Sequence, residues 1–454
     1  MPPVFGPVSL SVAADWRVLT FAVCATGLTT LLFGLMPAWQ AAGGGLSRSR
    51  ARVNPRTTTV RRRVGRALVV AQFALSLVLI AGAALFVRTL LNLLSVQTGF
   101  DRDHVLVMQI EPQGTGYENE RLRAFQREML SAFAALPGVR HATLSTSTPF
   151  NGNIDGKGLT VPGFEPREPD DRIIQVNLVG PDYFNVFQLP ILTGRPIDAG
   201  DRAGAPDVAV ASESFARRYF GDAASAIGRQ FSTRGARTRT FEIVGVTRDV
   251  RYQNLRRPSD RLVYLSWFQA SEVKLAGFEF VLSTEGPPEN WVNVTRAEMQ
   301  RLHPEAPIVS ISTMSDVNDG RLFSERVLAT LGSFFAIVAL TLAAVGAFGL
   351  QAHAVARRIP EFGVRLALGA QPGQMLWMTL RDNLQLAVIG AALGIAVALA
   401  GLRVLDGLLF GLTATDTVNL LSAAVVLVVV SLAAAIVPGR RAAPVDPLIA
   451  LRSE

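Results

Sequence analysis

Five long apolar runs without a charged residue constrain this sequence more than any other feature. They are residues 18–40, 67–87, 331–352, 384–402 and 417–438. A helix needs about 20 mainly apolar residues to cross the hydrocarbon core of a bilayer. Five such runs are too many for the core of one soluble domain. The sequence therefore predicts an integral membrane protein with about five transmembrane helices.

The distribution of arginine predicts how these spans are oriented. Residues 41–66 contain eight arginines and no acidic residue, which is typical of a cytoplasmic segment. The next span then leaves the cytoplasm and places residues 90–325 outside. The third span returns at the basic pair 357–358, the fourth leads to a short outer loop at 404–416, and the fifth returns at 440–441. Every predicted cytoplasmic segment is basic, so the five placements agree.

The first and last spans resemble each other. At one constant offset Asp15 aligns with Asp416, and Pro37 with Pro438, each proline followed by Ala-Ala at the same distance. Such matching suggests an internal repeat. We therefore expect residues 1–45 to be the last transmembrane helix of a preceding, mostly missing repeat. On this reading, residues 60–454 form one complete four-span unit.

The remaining boundaries follow from the same runs and charges. We expect an Arg-rich cytoplasmic linker at 46–66, transmembrane helices at 67–90, 327–352, 379–403 and 417–438, an extracytoplasmic domain at 91–326, a cytoplasmic coupling loop at 353–378, a short outer loop at 404–416 and a cytoplasmic tail at 439–454.

The long outer segment has the pattern of an α/β domain. HVLVMQIE alternates like a strand, the segment from Tyr117 to Gly138 has apolar residues at helical spacing, and VRHATLST predicts a second strand. The same order recurs in FEFVLST, EGPPENWVNVTRAEMQRLHP and PIVSIST. Two βαβ-like units thus flank a middle region, in which Ser212 or Ser214 is placed to cap a short helix. We expect two lobes, with the chain leaving one and returning to it.

The residues that could support catalysis or metal binding are scattered. The candidate aspartates Asp155, Asp170, Asp171, Asp198, Asp201 and Asp207 lie in Gly/Pro-rich loops. The stretch STSTPFNGN has no His or Lys nearby to act as a base. GNIDGKG departs from the phosphate-binding loop, because the spacing is shorter and no Ser/Thr follows the lysine. With one cysteine and four dispersed histidines, we predict no enzyme activity, no cofactor and no metal site. The arginines are grouped at span ends, which argues against nucleic acid as a partner.

Small residues in the fourth span favour close helix packing. Gly390 and Gly394 form a G-x-x-x-G pattern, which lets helix backbones approach each other. The spans contain almost no ionisable residue that could line a polar pathway. The sequence therefore gives no sign of a polar pathway through the spans.

Several phrases together resemble a known family. VNLVGPDYFNVFQLPILTGRPID, FEIVGVTRDVRYQNLRRPSDRLVYL, ARRIPEFGVRLALGAQPGQMLWMTLRDNL and PGRRAAPVDPLIALR are similar to phrases of the MacB/FtsX-type permeases of ABC transporters. The duplicated layout resembles the orphan permeases of acidobacteria, of which most of the first copy is missing here. The resemblance implies an α-helical permease of the bacterial inner membrane with a large extracytoplasmic, MacB-like α/β domain.

The resemblance also implies that a cytoplasmic ABC ATPase dimer docks on the loop after the third span. We expect a short helix near the membrane there, with charged side chains and an apolar face, and with Gly369 as its C-terminal stop. A plain amphipathic interfacial helix without a protein partner is the alternative. The expected docking residues are Arg357, Arg358, Glu361, Phe362, Gly363, Arg365, Leu368 and Gly369.

The function implied is coupling of ATP hydrolysis by a separate ATPase to movements of the outer domain, for efflux or extrusion. The expected partners are that ATPase dimer, a second permease unit in a homodimer or pseudo-dimer, and membrane lipid. Two alternatives stay open: a lipoprotein-extracting permease, and an FtsX-like transmembrane signalling scaffold that regulates an envelope hydrolase.

Overall fold

The computed structural model describes residues 16, 19, 20 and 23 and most of 55–442. Within that range the residues not described are 97, 113–116, 118, 152–153, 235–237, 254, 257–260, 271–276, 369–370, 402–409 and 412–415. Nearly all of the predicted first span at 18–40 and most of the tail at 439–454 lie outside the described residues. So do residues 46–54 of the predicted linker at 46–66, whereas its residues 55–66 are helical and continuous with the following span. The repeat proposed for residues 1–45 also lies outside the described residues, apart from four positions.

The described chain divides into two compact units. The described residues between 90 and 327 form an outer unit, and the described residues up to 89 together with those between 328 and 442 form a membrane unit. The described α-helices are, in chain order, α1 Pro55–Leu94, α2 Asn119–Ala134, α3 Tyr183–Val186, α4 Glu213–Phe220, α5 Ala223–Ala226, α6 Val292–Leu302, α7 Met314–Arg321, α8 Phe323–Ala367, α9 Pro372–Gly401 and α10 Thr417–Ala442.

The β-strands all belong to the outer unit. In chain order they are β1 Val105–Ile110, β2 Val139–Ser145, β3 Asp155–Thr160, β4 Ile173–Val179, β5 Ile191–Gly194, β6 Val208–Ser212, β7 Gln230–Arg234, β8 Arg239–Thr247, β9 Leu262–Ser266, β10 Phe278–Thr284 and β11 Ile308–Thr313. Short 3₁₀ turns lie at Pro169–Arg172, Trp267–Gln269 and Pro288–Trp291.

Four helices of the described chain are long and apolar enough to cross a membrane. The segments are Gly65–Leu94, Phe323–Arg358, Gly373–Gly401 and Thr417–Pro438. Each satisfies its backbone hydrogen bonds internally, which the hydrocarbon core requires of a spanning segment. The fold predicted from the sequence, a helical membrane protein with a large α/β domain between spans, is confirmed.

All four of these helices contribute to the core of the membrane unit. Phe73 and Leu77 of α1 are fully buried and belong to one apolar cluster with Ala347 of α8, Ala387 of α9 and Leu427 of α10. The partners of the large α1 side chains are mostly alanines. Small partners of this kind let the helices approach closely where no hydrophobic effect drives them together.

The predicted coupling loop at 353–378 differs from the structure. Helix α8 runs without interruption to Ala367 through Pro360 and Gly363, and α9 already begins at Pro372. The expected separate short helix is therefore wrong. A proline removes one backbone donor from a helix, but tertiary contacts with a neighbouring helix can maintain it. The true connection is only residues 368–371.

The first lobe of the outer unit interleaves the two predicted βαβ units. Strand β10 lies between β1 and β2 and is antiparallel to both, while β1 lies between β10 and β11. The strands of each predicted unit are thus separated by a strand of the other, as in split βαβ folds. Helices α2 and α6 bury Phe125, Phe133 and Met299 in one core with Phe280 of β10.

The second lobe closes on itself. The pairings run β4–β3–β7–β8–β6–β9, and a parallel pairing of β9 with β4 completes a ring of six strands. Closure removes the unpaired edges that an open sheet would expose. Its core contains Phe215 of α4 with Phe231 and Ile243 of the strands. The Ser212 side chain accepts a hydrogen bond from the Phe215 amide, so the predicted N-cap is confirmed for Ser212.

The orientation of the spans gives a first testable prediction. A cysteine at Gly156 on β3, in a Cys24→Ala background, should react with a membrane-impermeant thiol reagent in spheroplasts. Gly156 is exposed, and an added Cβ would meet only Ile173 Cγ2 at 3.5 Å. A cysteine at Gly373, which has open space around its Cα, is the matched control and should react only after lysis. Labelling of the Gly156 variant only after lysis would invert the topology.

Candidate functional site

The segment predicted to dock a partner forms the tip of a helical hairpin. Helix α8 ends at Ala367 and α9 starts five residues later at Pro372. Below the tip, Val355 of α8 and Met375 of α9 are both buried and in contact, with Met378 packed against them. The end of α8 is therefore fixed against the start of α9.

One carboxylate on α9 forms ion pairs with arginines of two other helices. Asp382 Oδ2 lies 3.2 Å from the Arg358 guanidinium of α8 and 3.9 Å from that of Arg66 of α1. An isolated surface ion pair contributes little, but these three side chains are partly buried and form a network. Arg358, predicted as a docking residue, thus bonds within the membrane unit.

The remaining charges at the tip are more accessible. Glu361 and Arg365 form an ion pair of 2.7 Å one turn apart on α8, and Arg365 also lies 3.5 Å from the Met378 sulfur. Arg357 and Glu361 are exposed. Leu368, in the connection itself, is 82% exposed, the highest value for a large apolar side chain in the described part of the chain. The end of α8 and the following connection thus carry both exposed charges and an exposed apolar side chain.

Not every predicted docking residue can be placed. Gly363 is a helical residue of α8. The Phe362 side chain lies outside the described part, and so does Gly369 altogether. The predicted helix stop at Gly369 therefore stays a prediction.

The two glycines of the G-x-x-x-G pattern lie where α9 meets α1. A Cβ added at Gly390 would lie 2.5 Å from Phe73 Cβ, and one added at Gly394 would lie 2.8 Å from the Ala74 carbonyl oxygen. A Cβ atom does not approach other heavy atoms this closely in real structures, so the approach of the two helices requires glycine at both positions.

Buried polar side chains join the helices in addition. Asn383 of α9 donates to the Ser431 carbonyl of α10 at 2.9 Å, and Asn419 of α10 donates to the Ala81 carbonyl of α1 at 3.0 Å. Ser76 of α1 donates to a carbonyl of α8 at 3.1 Å. Together these bonds link all four helices. These bonds were not predicted from the sequence, although a lone asparagine within or beside an apolar run is a usable signal.

In the outer unit, loop 146–151 contacts both segments by which the chain enters and leaves that unit. The Phe150 ring lies 5.6 Å from that of Phe100, which follows α1. The Phe150 carbonyl accepts a bond from Arg321, which ends α7 just before α8. Phe150 has φ of +66°, a strained value for a bulky residue, and its amide donates to the Tyr252 carbonyl at 2.7 Å. A displacement of either segment would therefore reach this loop.

A buried carboxylate accepts hydrogen bonds from the same loop. Glu279 of β10 accepts hydrogen bonds from the Thr148 amide at 2.6 Å and from the Asn151 side chain. Its side chain is almost completely buried, and this burial raises the pKa of Glu279 to about 7 despite the bonds from Thr148, which lower it.

The Ser/Thr-rich stretch that forms this loop is built into a hydrogen-bond network. Ser145 and Thr146 both donate to the Asn177 side-chain oxygen, at 3.0 and 2.7 Å. The Asn177 amide in turn donates to the Tyr252 hydroxyl at 2.6 Å. These hydroxyls are used to fix the loop. No group of three or more His, Cys, Asp or Glu that could hold a metal ion occurs among the residues the structure describes.

Comparison with known proteins agrees with this architecture. Residues 67–298, about half of the chain, match the family described as the MacB-like periplasmic core domain. Residues 333–447 match the FtsX-like permease C-terminal family.

Curated relatives are similar over part of their length. The pyoverdine export ATP-binding/permease protein PvdT of Pseudomonas syringae pv. tomato is 25% identical over 277 residues, which are 59% of this chain and 41% of that protein. A probable export ATP-binding/permease protein of Pseudomonas fluorescens is 24% identical over 294 residues, 62% of this chain and 43% of the relative. The chain thus spans about two fifths of the length of the relatives it matches.

Two solved structures are also similar. The periplasmic region of MacB from Actinobacillus actinomycetemcomitans aligns with a TM-score of 0.36 at 14% identity, over 50% of this chain and 97% of that one. The extracellular domain of the transporter YknZ from Gram-positive bacteria aligns with a TM-score of 0.31 at 16% identity, over 46% and 98%.

The family matches and the four membrane-capable helices agree on location. They make this a multi-pass inner-membrane protein with a large extracytoplasmic domain. Since the periplasmic-core match covers half of the sequence and the permease match covers most of the remaining membrane helices, the chain belongs to the MacB/FtsX-type permeases of ABC transporters.

Proposed function

We propose that this permease transmits the movement of a cytoplasmic ABC ATPase dimer to its extracytoplasmic domain, and that the movement drives efflux or extrusion of a substrate. The observation that carries the proposal is the tip of the α8–α9 hairpin. It presents Leu368, Arg357 and Glu361 to a partner, while its base is fixed by Asp382 and the Val355–Met375 contact.

Movement of the α8–α9 tip is transmitted only if the membrane unit moves as one rigid body. The side-chain bonds from Ser76, Asn383 and Asn419 link neighbouring helices within the membrane unit. The close contacts at Gly390 and Gly394 add a tight seam between α9 and α1. Interfaces packed this closely transmit small shifts as rigid-body movements.

The names of the relatives support an ATP-binding component as the source of ATP hydrolysis. Both relatives described above are named ATP-binding/permease proteins. A second permease unit would complete the complex, because an ATPase dimer offers two equivalent docking surfaces.

Export is the direction that the comparisons favour. The two relatives described above are named export proteins. The outer unit has two lobes, each with its own core, and loop 146–151 touches both connections to the spans. A relative movement of the helices would thus be transmitted to loop 146–151 of the outer unit through its contacts with Phe100 and Arg321.

Exchanging the charges of Glu361 and Arg365 tests the docking tip. The Glu361→Arg, Arg365→Glu variant should insert normally, because an ion pair one turn apart remains possible. It should no longer associate with the ATPase dimer or stimulate its ATP hydrolysis, since the exposed charge pattern is reversed. Co-purification and permease-stimulated ATP hydrolysis in proteoliposomes measure both effects.

A matched control exists in the outer unit. Glu213 and Arg217 of α4 form an ion pair with the same spacing and a distance of 2.6 Å. Exchanging their charges should leave ATPase association and stimulation unchanged. Normal association of the Glu361/Arg365 variant would refute docking at the tip.

A further inference from the structure

One face of α9 combines a cation with an apolar groove. Trp377, Arg381, Gln385 and Ile389 follow each other at four-residue spacing and are all exposed. With two neighbouring apolar side chains they line a groove of about 580 Å³. The residues of the groove are Trp377, Arg381, Leu384, Gln385, Val388 and Ile389.

Arg381 differs from Arg66, Arg358 and Arg365, which lie near the same end of the membrane unit. Arg66 and Arg358 contact Asp382, and Arg365 contacts Glu361. Arg381 has neither an ion pair nor a hydrogen bond with any residue in the described part of the chain, and its side chain is exposed. A cation on a membrane-facing helix is costly without a counter-charge. A counter-charge supplied from outside the protein would therefore stabilise it.

The position of Arg381 along α9 indicates its depth. The large domain is extracytoplasmic, so α8 crosses inward and α9 starts on the cytoplasmic side. Arg381 lies twenty residues before Gly401, where α9 ends. At a rise of 1.5 Å per residue this is about 30 Å, the thickness of the hydrocarbon core. Arg381 thus lies at the inner headgroup level, and Val388 and Ile389 lie within the acyl region.

We propose that this groove binds an anionic phospholipid of the cytoplasmic leaflet. The phosphate accepts hydrogen bonds from the Arg381 guanidinium, and an acyl chain lies along Val388 and Ile389. Trp377, which is 63% exposed, lies one turn toward the cytoplasm, at the level where indole rings favour the interface. A zwitterionic lipid brings its own ammonium group and neutralises the guanidinium less well.

Native mass spectrometry of the full-length protein tests the site. The purified protein is incubated in detergent with equal amounts of phosphatidylglycerol and phosphatidylcholine, and the retained lipids are counted. One arginine near a charged surface contributes about 1 kcal/mol, so we expect about a fivefold preference for phosphatidylglycerol. Arg381→Gln should retain the two lipids equally.

Arg440→Gln is the matched control, because Arg440 is also an exposed arginine at the cytoplasmic end of a span. It should keep the wild-type preference. An unchanged preference in Arg381→Gln, or no preference in the wild type, would overturn the proposal.

A second copy of the chain is the competing occupant of this face. Oxidative cross-linking of Val388→Cys in a Cys24→Ala background distinguishes it from lipid. Lipid in the groove predicts a monomer after oxidation in native membranes. Near-complete disulfide dimers would show that protein covers Val388, and the lipid site would then be wrong.

Discussion

Replacing Gly394 with leucine should prevent assembly of the membrane unit. Even a Cβ at this position would lie 2.8 Å from the Ala74 carbonyl oxygen and 2.9 Å from Leu77 Cβ. The first of these atoms belongs to the backbone of α1, so it cannot turn aside. Overpacking a core typically costs about 1–3 kcal/mol, and a clash with backbone belongs at the upper end. The variant should lose its monodisperse peak in size-exclusion chromatography and melt at a lower temperature.

Gly349→Leu is the control for that experiment. Gly349 lies on α8 and has no atom within 4 Å of an added Cβ. The same leucine in the same kind of helix should there leave the elution profile and the melting temperature unchanged. Equal behaviour of the two variants would contradict the close contact between α9 and α1.

Loop 146–151 should be more firmly held at pH 5 than at pH 8. Burial raises the pKa of Glu279 from 4.5 to about 7, so the folded protein binds a proton more tightly than the opened one. Stability therefore falls as the pH rises from the unperturbed pKa through the raised one. A shift of this size corresponds to about 3 kcal/mol, because each unit is worth 1.36 kcal/mol.

Hydrogen exchange of the Thr148 amide measures this effect. After correction for the intrinsic pH dependence of exchange, protection in the wild type should fall about a hundredfold between pH 5 and 8. Glu279→Gln can still accept the Thr148 bond but cannot ionise, so its protection should be nearly flat. Glu285→Gln, at an exposed position just after β10, should retain the wild-type slope. An unchanged slope in Glu279→Gln would refute the role of Glu279.

The elements that could be predicted from the sequence are those with a local signal. The four described spans follow from uncharged runs, and β1, α2, β2, β10, α6 and β11 follow from periodicity. What escaped prediction is non-local. The insertion of β10 between β1 and β2 pairs Phe280 with Leu144 and Met108, which are more than 130 residues away in sequence. Periodicity indicates which face of a strand is buried but not which strand is its neighbour.

The docking segment shows the same limit. The charged residues of this segment could be read from the sequence. Which of them form ion pairs within the protein and which remain accessible could not. Arg358 bonds to Asp382, which is 24 residues further along, whereas Glu361 remains accessible. The sequence predicted a separate short helix after the span, but α8 continues through Pro360 and Gly363 although proline and glycine disfavour helix interiors. Contacts with α9, such as that of Val355 with Met375, hold α8 in this region.

Because α8 is uninterrupted from Phe323 to Ala367, it can act as a lever in the proposed mechanism. Its 45 residues correspond to a length of about 67 Å, roughly twice the hydrocarbon thickness. A tilt of about 5° about one end would displace the other by about 6 Å, a little more than one helical turn. A flexible segment after the span would instead bend, and the displacement would not reach the other end of the helix. In the proposed mechanism, the amplitude available at the periplasmic end of α8 is thus set by the angle through which its cytoplasmic end is turned.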